Sequence, residues 1–256
     1  MTNALIGYTG FVGSNLDAQT KFDSKFNSTN IDEIDGNEYE LVVCSATRAE
    51  KWRINQDPET DMAEINNLIS HLEKIKTKKL ILVSTVDVYK IPINVDEDTP
   101  LNIKNLHAYG KNRLYLEDFC QRKFNTLIVR LPGLFGPGLK KNIIYDLLKN
   151  NNVDKIHHAG SFQYYNLENI WKDIQIANCA GIELVNFATE PLRTDEIAGK
   201  CFGIKLINAP EGVSAGSYDM HTKHSILYGK AGPYLYSKAE VILGIKSFIK
   251  SQRAIV

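Results

Sequence analysis

Two spacings of apolar residues alternate along the 256-residue chain. Short, nearly unbroken apolar runs lie at 4–6, 39–44, 79–84, 126–131 and 182–187, each closed by polar or turn-forming residues, as expected of strands buried on both faces. Between them the period lengthens. Ile65, Leu68, Ile69, Leu72 and Ile75 form one helical stripe running to about Lys76, which Asp57-Pro58-Glu59 opens with a capping acid, a proline at the first position and more acids behind it. Residues 12–19 and 106–123 read as further helices, and 25–29 as a short second strand. Only 30–38 separate that strand from the next, too few for a full helical crossover, so this connection is shortened. Strands alternating with helices predict an α/β fold, a doubly wound parallel sheet with helices on both faces.

Beyond Pro132 the pattern is less regular. Residues 132–138 are a glycine/proline loop. Helices are expected at 142–148 and 168–178, an extended segment at 162–165, a helix at 195–201 capped by Thr194, and a short strand at 205–208. Residues 209–233 show no periodic organisation. Ser237 and Glu240 have the spacing of a capping box ahead of a last helix over 241–250. The division expected is a nucleotide-binding domain over 1–135 and a smaller lobe over 136–256 that returns segments to the sheet.

Composition narrows the classes. Thirty basic residues balance thirty acidic ones, which argues against a general nucleic-acid binder. Cys44, Cys120, Cys179 and Cys201 are scattered without zinc spacing, so no metal is expected, and they read as small hydrophobes of a reducing compartment. No apolar run is long enough to cross a bilayer, and a strand starts at Ala4 with no signal peptide before it. The expectation is a cytoplasmic protein with neither membrane nor nucleic acid as partner.

Gly7, Gly10 and Gly13, between the first strand and the first helix, suit a pyrophosphate. Gly7 turns the chain, Gly10 lets the backbone approach the ligand, and Gly13 lets the helix pack on the sheet. The first-turn N–H groups at Phe11 and Val12 would face the anion. Thr85 ends a strand, where open α/β sheets bind ligands. Tyr109 and Arg113 share a helix face four residues apart, and a cation beside a phenol lowers its pKa, as proton transfer near neutrality needs. Glu117, four residues beyond Arg113, is an alternative partner for that guanidinium.

Taken together these stretches resemble the extended short-chain dehydrogenases/reductases, the NAD-dependent epimerase/dehydratase family that acts mostly on nucleotide sugars. The resemblance rests on GYTGFVG at 7–13, the Ser84-Thr85 strand end followed by Val88-Tyr89, Tyr109-x-x-x-Arg113, and Arg130 followed by Phe135-Gly136-Pro137. It implies a Rossmann-type sheet with a smaller C-terminal substrate-binding lobe, a hydride-transfer epimerase or reductase, and bound NAD or NADP. Tyr109 falls on the general acid/base, Thr85 on the catalytic hydroxyl and Arg113 on the lysine that holds the nicotinamide ribose. Arginine is bulkier than lysine and not equivalent to it. Lys111, two residues from Tyr109, points off that face. Asn30 or Asp32 is nearest to the family's adenosine-ribose acid, and without an arginine beside them NAD is slightly preferred.

For substrate, the resemblance implies Thr85, Asp87, Gly133 (where the family often has Asn) and Lys140. Asp87 lies near the family dehydratases' base, but a solvated loop acid is the plainer reading, and apolar Val86 argues against elimination. A non-catalytic NAD(P)-binding regulatory or scaffold protein is the alternative that Arg113 leaves open. His157-His158 read as structural, and Gln163-Tyr164-Tyr165 either line a cleft or are strand aromatics. The family often pairs two helices per subunit in a dimer bundle, and 66–76 and 114–124 are the helices available for a homodimer.

Overall fold

A computed structural model describes residues 2–254. Six strands, numbered here in chain order, form the central parallel sheet: β1 Asn3–Ile6, β2 Ser24–Phe26, β3 Glu38–Cys44, β4 Lys76–Thr85, β5 Thr126–Leu131 and β6 Leu184–Asn186. Their order is β6-β5-β4-β3-β1-β2. β1 pairs with β2 on one side, Ile6 opposite Phe26, and with β3 on the other, Ile6 opposite Cys44. The chain therefore reverses direction across the sheet at β1, and the crevice at the carboxyl ends of β1 and β3 is its topological switch point, where ligands of open α/β sheets bind.

The shortened second crossover is real. A single turn of 3-10 helix at Ile31–Ile34 carries the chain from β2 past β1 to β3, anchored by fully buried Ile34. The helices of this part are α1 Phe11–Gln19, α2 Lys51–Gln56, α3 Pro58–Leu72 and α4 Ala108–Lys123. Ile65, Leu68 and Leu72 of α3 and Leu116 and Cys120 of α4 share a core with Ala4, Ile6, Val42, Leu80, Leu82 and Ile128 of the sheet. The alternate strand positions, Leu5, Val43, Ile81 and Leu127, are fully buried on the opposite face. That two-sided burial is why the strands read as unbroken apolar runs.

Asp57 caps α3 as its sequence indicates, its carboxylate accepting the Thr60 N–H at 3.2 Å. The helix stops at Leu72, short of Lys76, because Glu73 and Lys74 turn the chain and Lys76 already opens β4. α2 has no counterpart in the sequence pattern. It is six residues long with only Ile54 buried, so it has no periodicity to read.

The later helices are α5 Ile143–Lys149, α6 Ile170–Cys179, α7 Thr194–Ile197 and α8 Lys238–Arg253. By internal contacts the chain forms two compact units, the first made of residues up to Lys90, Thr99–Arg130 and Ile170–Val185, the second of Ile91–Asp98, Leu131–Asn169 and the chain from Asn186 on. In the second, Phe135, Ile144, Leu192, Ile197, Val241, Ile245 and Phe248 form a core of their own. Ser237 and Glu240 close the capping box of α8. Two expectations fail here. Thr194 is the first residue of α7 rather than its cap, and its hydroxyl donates to the Gly160 carbonyl at 3.0 Å. Residues 205–208 form no strand; Asn208 instead accepts the His158 N–H at 2.8 Å and donates to the Val153 carbonyl at 2.9 Å. The unpatterned 209–233 stretch contains Asp219–Met220, which pairs in parallel with Ile93–Val95.

Candidate active site

The glycine turn follows β1 directly. Gly7 has φ +88°, a left-handed conformation, and a side chain there would run into the Ser45 backbone after β3 at 2.7 Å. Gly13 lies so close under the turn that an added Cβ would be 2.0 Å from the Gly7 carbonyl oxygen. Gly10 caps α1, and an added Cβ would meet only that same oxygen, at 3.3 Å. Two glycines are thus needed for chain packing, while the third faces space. An open cradle over the first-turn N–H groups of Phe11 and Val12 suits an anionic diphosphate, so the residues present fit a dinucleotide.

The turn after β2 is held together by its asparagines. Asn27 follows the strand, its amide donating to the Tyr8 hydroxyl at 3.3 Å and its carbonyl oxygen accepting from the Thr29 N–H at 2.8 Å. Asn30 is committed within the same turn, accepting the Asn27 N–H and donating to the Lys25 carbonyl.

Tyr109 opens α4 beside the end of β4. His107 caps the helix, its Nδ1 accepting the Gly110 N–H at 3.1 Å, and its ring stacks on Tyr109 with centroids 6.2 Å apart. Asn55 of α2 accepts the Tyr109 N–H at 3.0 Å. Thr85 Oγ1 accepts the Asp87 N–H, and the Thr85 side chain also interacts with the Tyr109 phenol. The structure therefore brings Thr85, Tyr109, Arg113 and Asp87 together.

Their electrostatics differ from expectation. Burial pushes the Tyr109 phenol above its ordinary pKa, and although Arg113 and Thr85 pull it down, Asp87 adds to the rise. A lowered phenol pKa, expected from the cation four residues on, is not what the folded chain has. Arg113 is indeed against the ring, its guanidinium carbon 4.6 Å from the centroid. Its partner, however, is not Glu117. It makes a bidentate pair with Asp61 of α3, at 3.0 and 2.9 Å, and its Nη2 also donates to the Arg48 carbonyl at 2.6 Å.

Glu117 belongs to a second buried cluster that the sequence did not reveal. It accepts from Arg130 Nε at 3.1 Å and Nη2 at 2.6 Å and from the Ser84 hydroxyl, and Arg130 Nη1 donates to the Tyr89 hydroxyl at 2.8 Å. Burial opposes the Arg130 charge, but Glu117 and Tyr89 outweigh it and hold its pKa above the usual value. The signal was present: a charged residue on the buried face of a helix or strand demands a counter-charge.

Asp87 is not a solvated acid. Lys51 of α2 binds it at 2.6 Å, and His107 Nε2 lies 3.9 Å away. Burial first, then the Lys51 charge, lowers the His107 pKa against the pull of Asp87. Gly133 and Lys140 lie in the second unit, where Gly133 starts the extended segment that pairs with Tyr164–Asn166 and Lys140 is exposed. Gln163, Tyr164 and Tyr165 are buried structural residues. The Gln163 side chain bridges to the Thr189 and Met220 backbones, and Tyr165 packs on Phe187 at 5.1 Å. His157 and His158 stack on each other at 5.3 Å, and among the described residues no group of three His, Cys, Asp or Glu could hold a metal ion. No described helix is long and apolar enough to cross a membrane.

No protein-family model matches the chain, and no curated protein matches its sequence. Solved structures do match its fold. RMD from Pseudomonas aeruginosa, complexed with NADPH, aligns at a TM-score of 0.73 and 14% identity over 98% of this chain and 100% of its own. MoeE5 in complex with UDP-glucuronic acid and NAD gives 0.76 at 13% over 100% of both chains. A UDP-galactose 4-epimerase gives 0.73 at 17%, again over 100% of both. The Rossmann fold that the four motifs anticipate is the fold found.

Proposed function

We propose that the protein is an NAD(P)-dependent epimerase or reductase acting on a nucleotide-linked sugar. The observation that carries this reading is the meeting of Thr85 and Arg113 at the phenol of Tyr109, at the carboxyl edge of the sheet whose first strand opens into the glycine turn. Gly7, Gly10 and Gly13, with the N–H groups of Phe11 and Val12, would hold the pyrophosphate, and Asn30 lies in the turn nearest the adenosine ribose. The dinucleotide, when bound, supplies hydride chemistry. The chain's own part is to align and to move a proton. Tyr109 Oη exchanges it with the sugar oxygen, and Thr85 Oγ1, oriented by the Asp87 N–H it accepts, holds that oxygen. Asp87, Gly133 and Lys140 are proposed substrate contacts. NAD is slightly preferred over NADP, because no arginine follows β2 to receive a 2′-phosphate.

The nucleotide-sugar assignment draws on the neighbours, whose ligands include UDP-sugars, and on the motif resemblance. A C5-proton-abstracting dehydratase is less favoured, since Asp87 is held by Lys51. A non-catalytic dinucleotide-binding scaffold is the alternative, and one variant separates it from the enzyme. Tyr109→Phe should lower turnover of UDP-sugar substrates at least about 100-fold, the usual scale of acid/base catalysis, with dinucleotide affinity unchanged. Steady-state rates beside a fluorescence titration check this. A wild-type protein that binds dinucleotide and turns over no UDP-sugar would favour the scaffold.

A further inference from the structure

A guanidinium that activates a phenol must keep its charge, and one that grips a ribose diol must keep a pair of N–H groups free. Arg113 keeps its charge beside a carboxylate and has no such pair to offer. Both terminal nitrogens are occupied by Asp61, and Nη2 by the Arg48 carbonyl as well. Nε is buried without a hydrogen-bond partner. The Arg113 and Asp61 side chains are 2% and 4% exposed, so solvent does little to screen the pair. Asp61 is surrounded by donors. Besides the two guanidinium bonds it accepts from Asn112 Nδ2 at 2.8 Å, and it sits in the first turn of α3, where the helix dipole favours an anion.

We propose that Asp61 is a positioning residue for Tyr109: its carboxylate pins the Arg113 guanidinium against the phenol ring and offsets part of its charge there, so that Tyr109 rests as a neutral phenol and enters the reaction as a proton donor. This rests on the reading of Tyr109 as the acid/base group. The other groups facing Tyr109 agree with it. Asp87 adds negative charge on the β4 side and is itself bound by Lys51 of α2, His107 stacks on the ring with its pKa lowered, and Thr85 is uncharged. Arg113 and Thr85 draw the phenol towards ionisation, but burial, with Asp87 beside it, outweighs them. The first transfer is therefore from Tyr109 Oη to the oxygen of a carbonyl-bearing sugar. A reduced dinucleotide held at the glycine turn would supply the hydride to the carbonyl carbon, giving the alcohol, and water would return a proton to the Tyr109 phenolate. Within the proposed function this fits a keto- or aldehydo-sugar nucleotide as the substrate that the resting enzyme protonates.

The test is a titration of Tyr109 in the cofactor-free protein. Incorporating 3-fluorotyrosine makes the phenols more acidic and gives each a 19F resonance, and Tyr109→Phe assigns the one wanted. In Asp61→Asn the midpoint should fall by one unit or more, at least tenfold in the ionisation constant, since an unpaired cation now faces the phenol. A smaller change in the folded variant would overturn the proposal. If that variant does not fold, the pair is removed whole as Asp61→Leu with Arg113→Met, a replacement that buried ion pairs tolerate. The midpoint should then stay within one unit of wild type, and a larger rise would show that the Arg113 charge had reached Tyr109 uncancelled. No turnover enters the readout, so a failed enzyme assignment and a failed role for Asp61 are told apart.

Discussion

Gly13→Ala should abolish dinucleotide binding and destabilise the protein by about 3 kcal/mol, the upper end of the usual cost of overpacking. The added methyl would sit 2.0 Å from the Gly7 carbonyl oxygen, 2.7 Å from the Gly7 carbonyl carbon and 2.9 Å from Ser45 Oγ. None of these can retreat cheaply. The Gly7 oxygen accepts the Gly10 N–H at 3.0 Å, the Gly7 N–H is bound to the Phe26 carbonyl at 2.7 Å, and Ser45 is tied to the Ile6 carbonyl through both its N–H and its hydroxyl. Relief requires α1 to lift away from β1. That movement takes the N–H groups at Phe11 and Val12 with it, so stability and anion binding fail together. Urea denaturation and a dinucleotide titration read the two effects. A variant that folds and binds like wild type would mean the contact between turn and helix is not what shapes the cradle.

Arg130→Met should cost about 3–5 kcal/mol, because it strands a buried carboxylate. Glu117 would keep only the Ser84 hydroxyl, and the Tyr89 hydroxyl would lose its Arg130 donor. The Arg130 and Glu117 side chains are 5% and 3% exposed, so water cannot replace the lost partner. Changing both, Arg130→Met with Glu117→Leu, should recover most of the loss, since the desolvation of two charges is removed with their attraction. Denaturation midpoints of the two variants decide the matter. A loss below about 1 kcal/mol in the single variant would place the pair among the weak surface bridges. This pair braces the end of β4, where Thr85 lies, against α4, which carries Tyr109.

What the sequence disclosed was set by how local the physics is. Strands buried on both faces leave an unbroken apolar run, which is why β1, β3, β4 and β5 could be placed to within a few residues. Capping is equally local, and Asp57 and Ser237 behave as their spacing indicates. The glycine turn was legible because its packing demands fall on residues three apart. Pairings across the fold were not legible. Asp61 is 52 positions from Arg113, and nothing in either neighbourhood distinguishes it from Glu117 as a partner. α2 escaped notice because one buried residue makes no pattern, yet it delivers Lys51 to Asp87 and Asn55 to the Tyr109 N–H. The direction of the Tyr109 shift was misjudged for the same reason. One cation was visible in sequence, while the burial and the approach of Asp87 that oppose it arise only on folding.

The central claim is that the turn at Gly7 to Gly13 binds a dinucleotide, and the most direct measurement is equilibrium binding of NAD, NADH, NADP and NADPH to wild type and to Gly10→Glu. The substitution puts a carboxylate where the diphosphate would sit, while the Cβ it adds meets only the Gly7 oxygen at 3.3 Å, so the fold should survive. The account predicts saturable one-to-one binding of at least one of the four to wild type, and at least about tenfold weaker binding to the folded variant, from like-charge repulsion in place of a favourable helix terminus. A wild-type protein that binds none of the four, or a variant that binds as well as wild type, would contradict it.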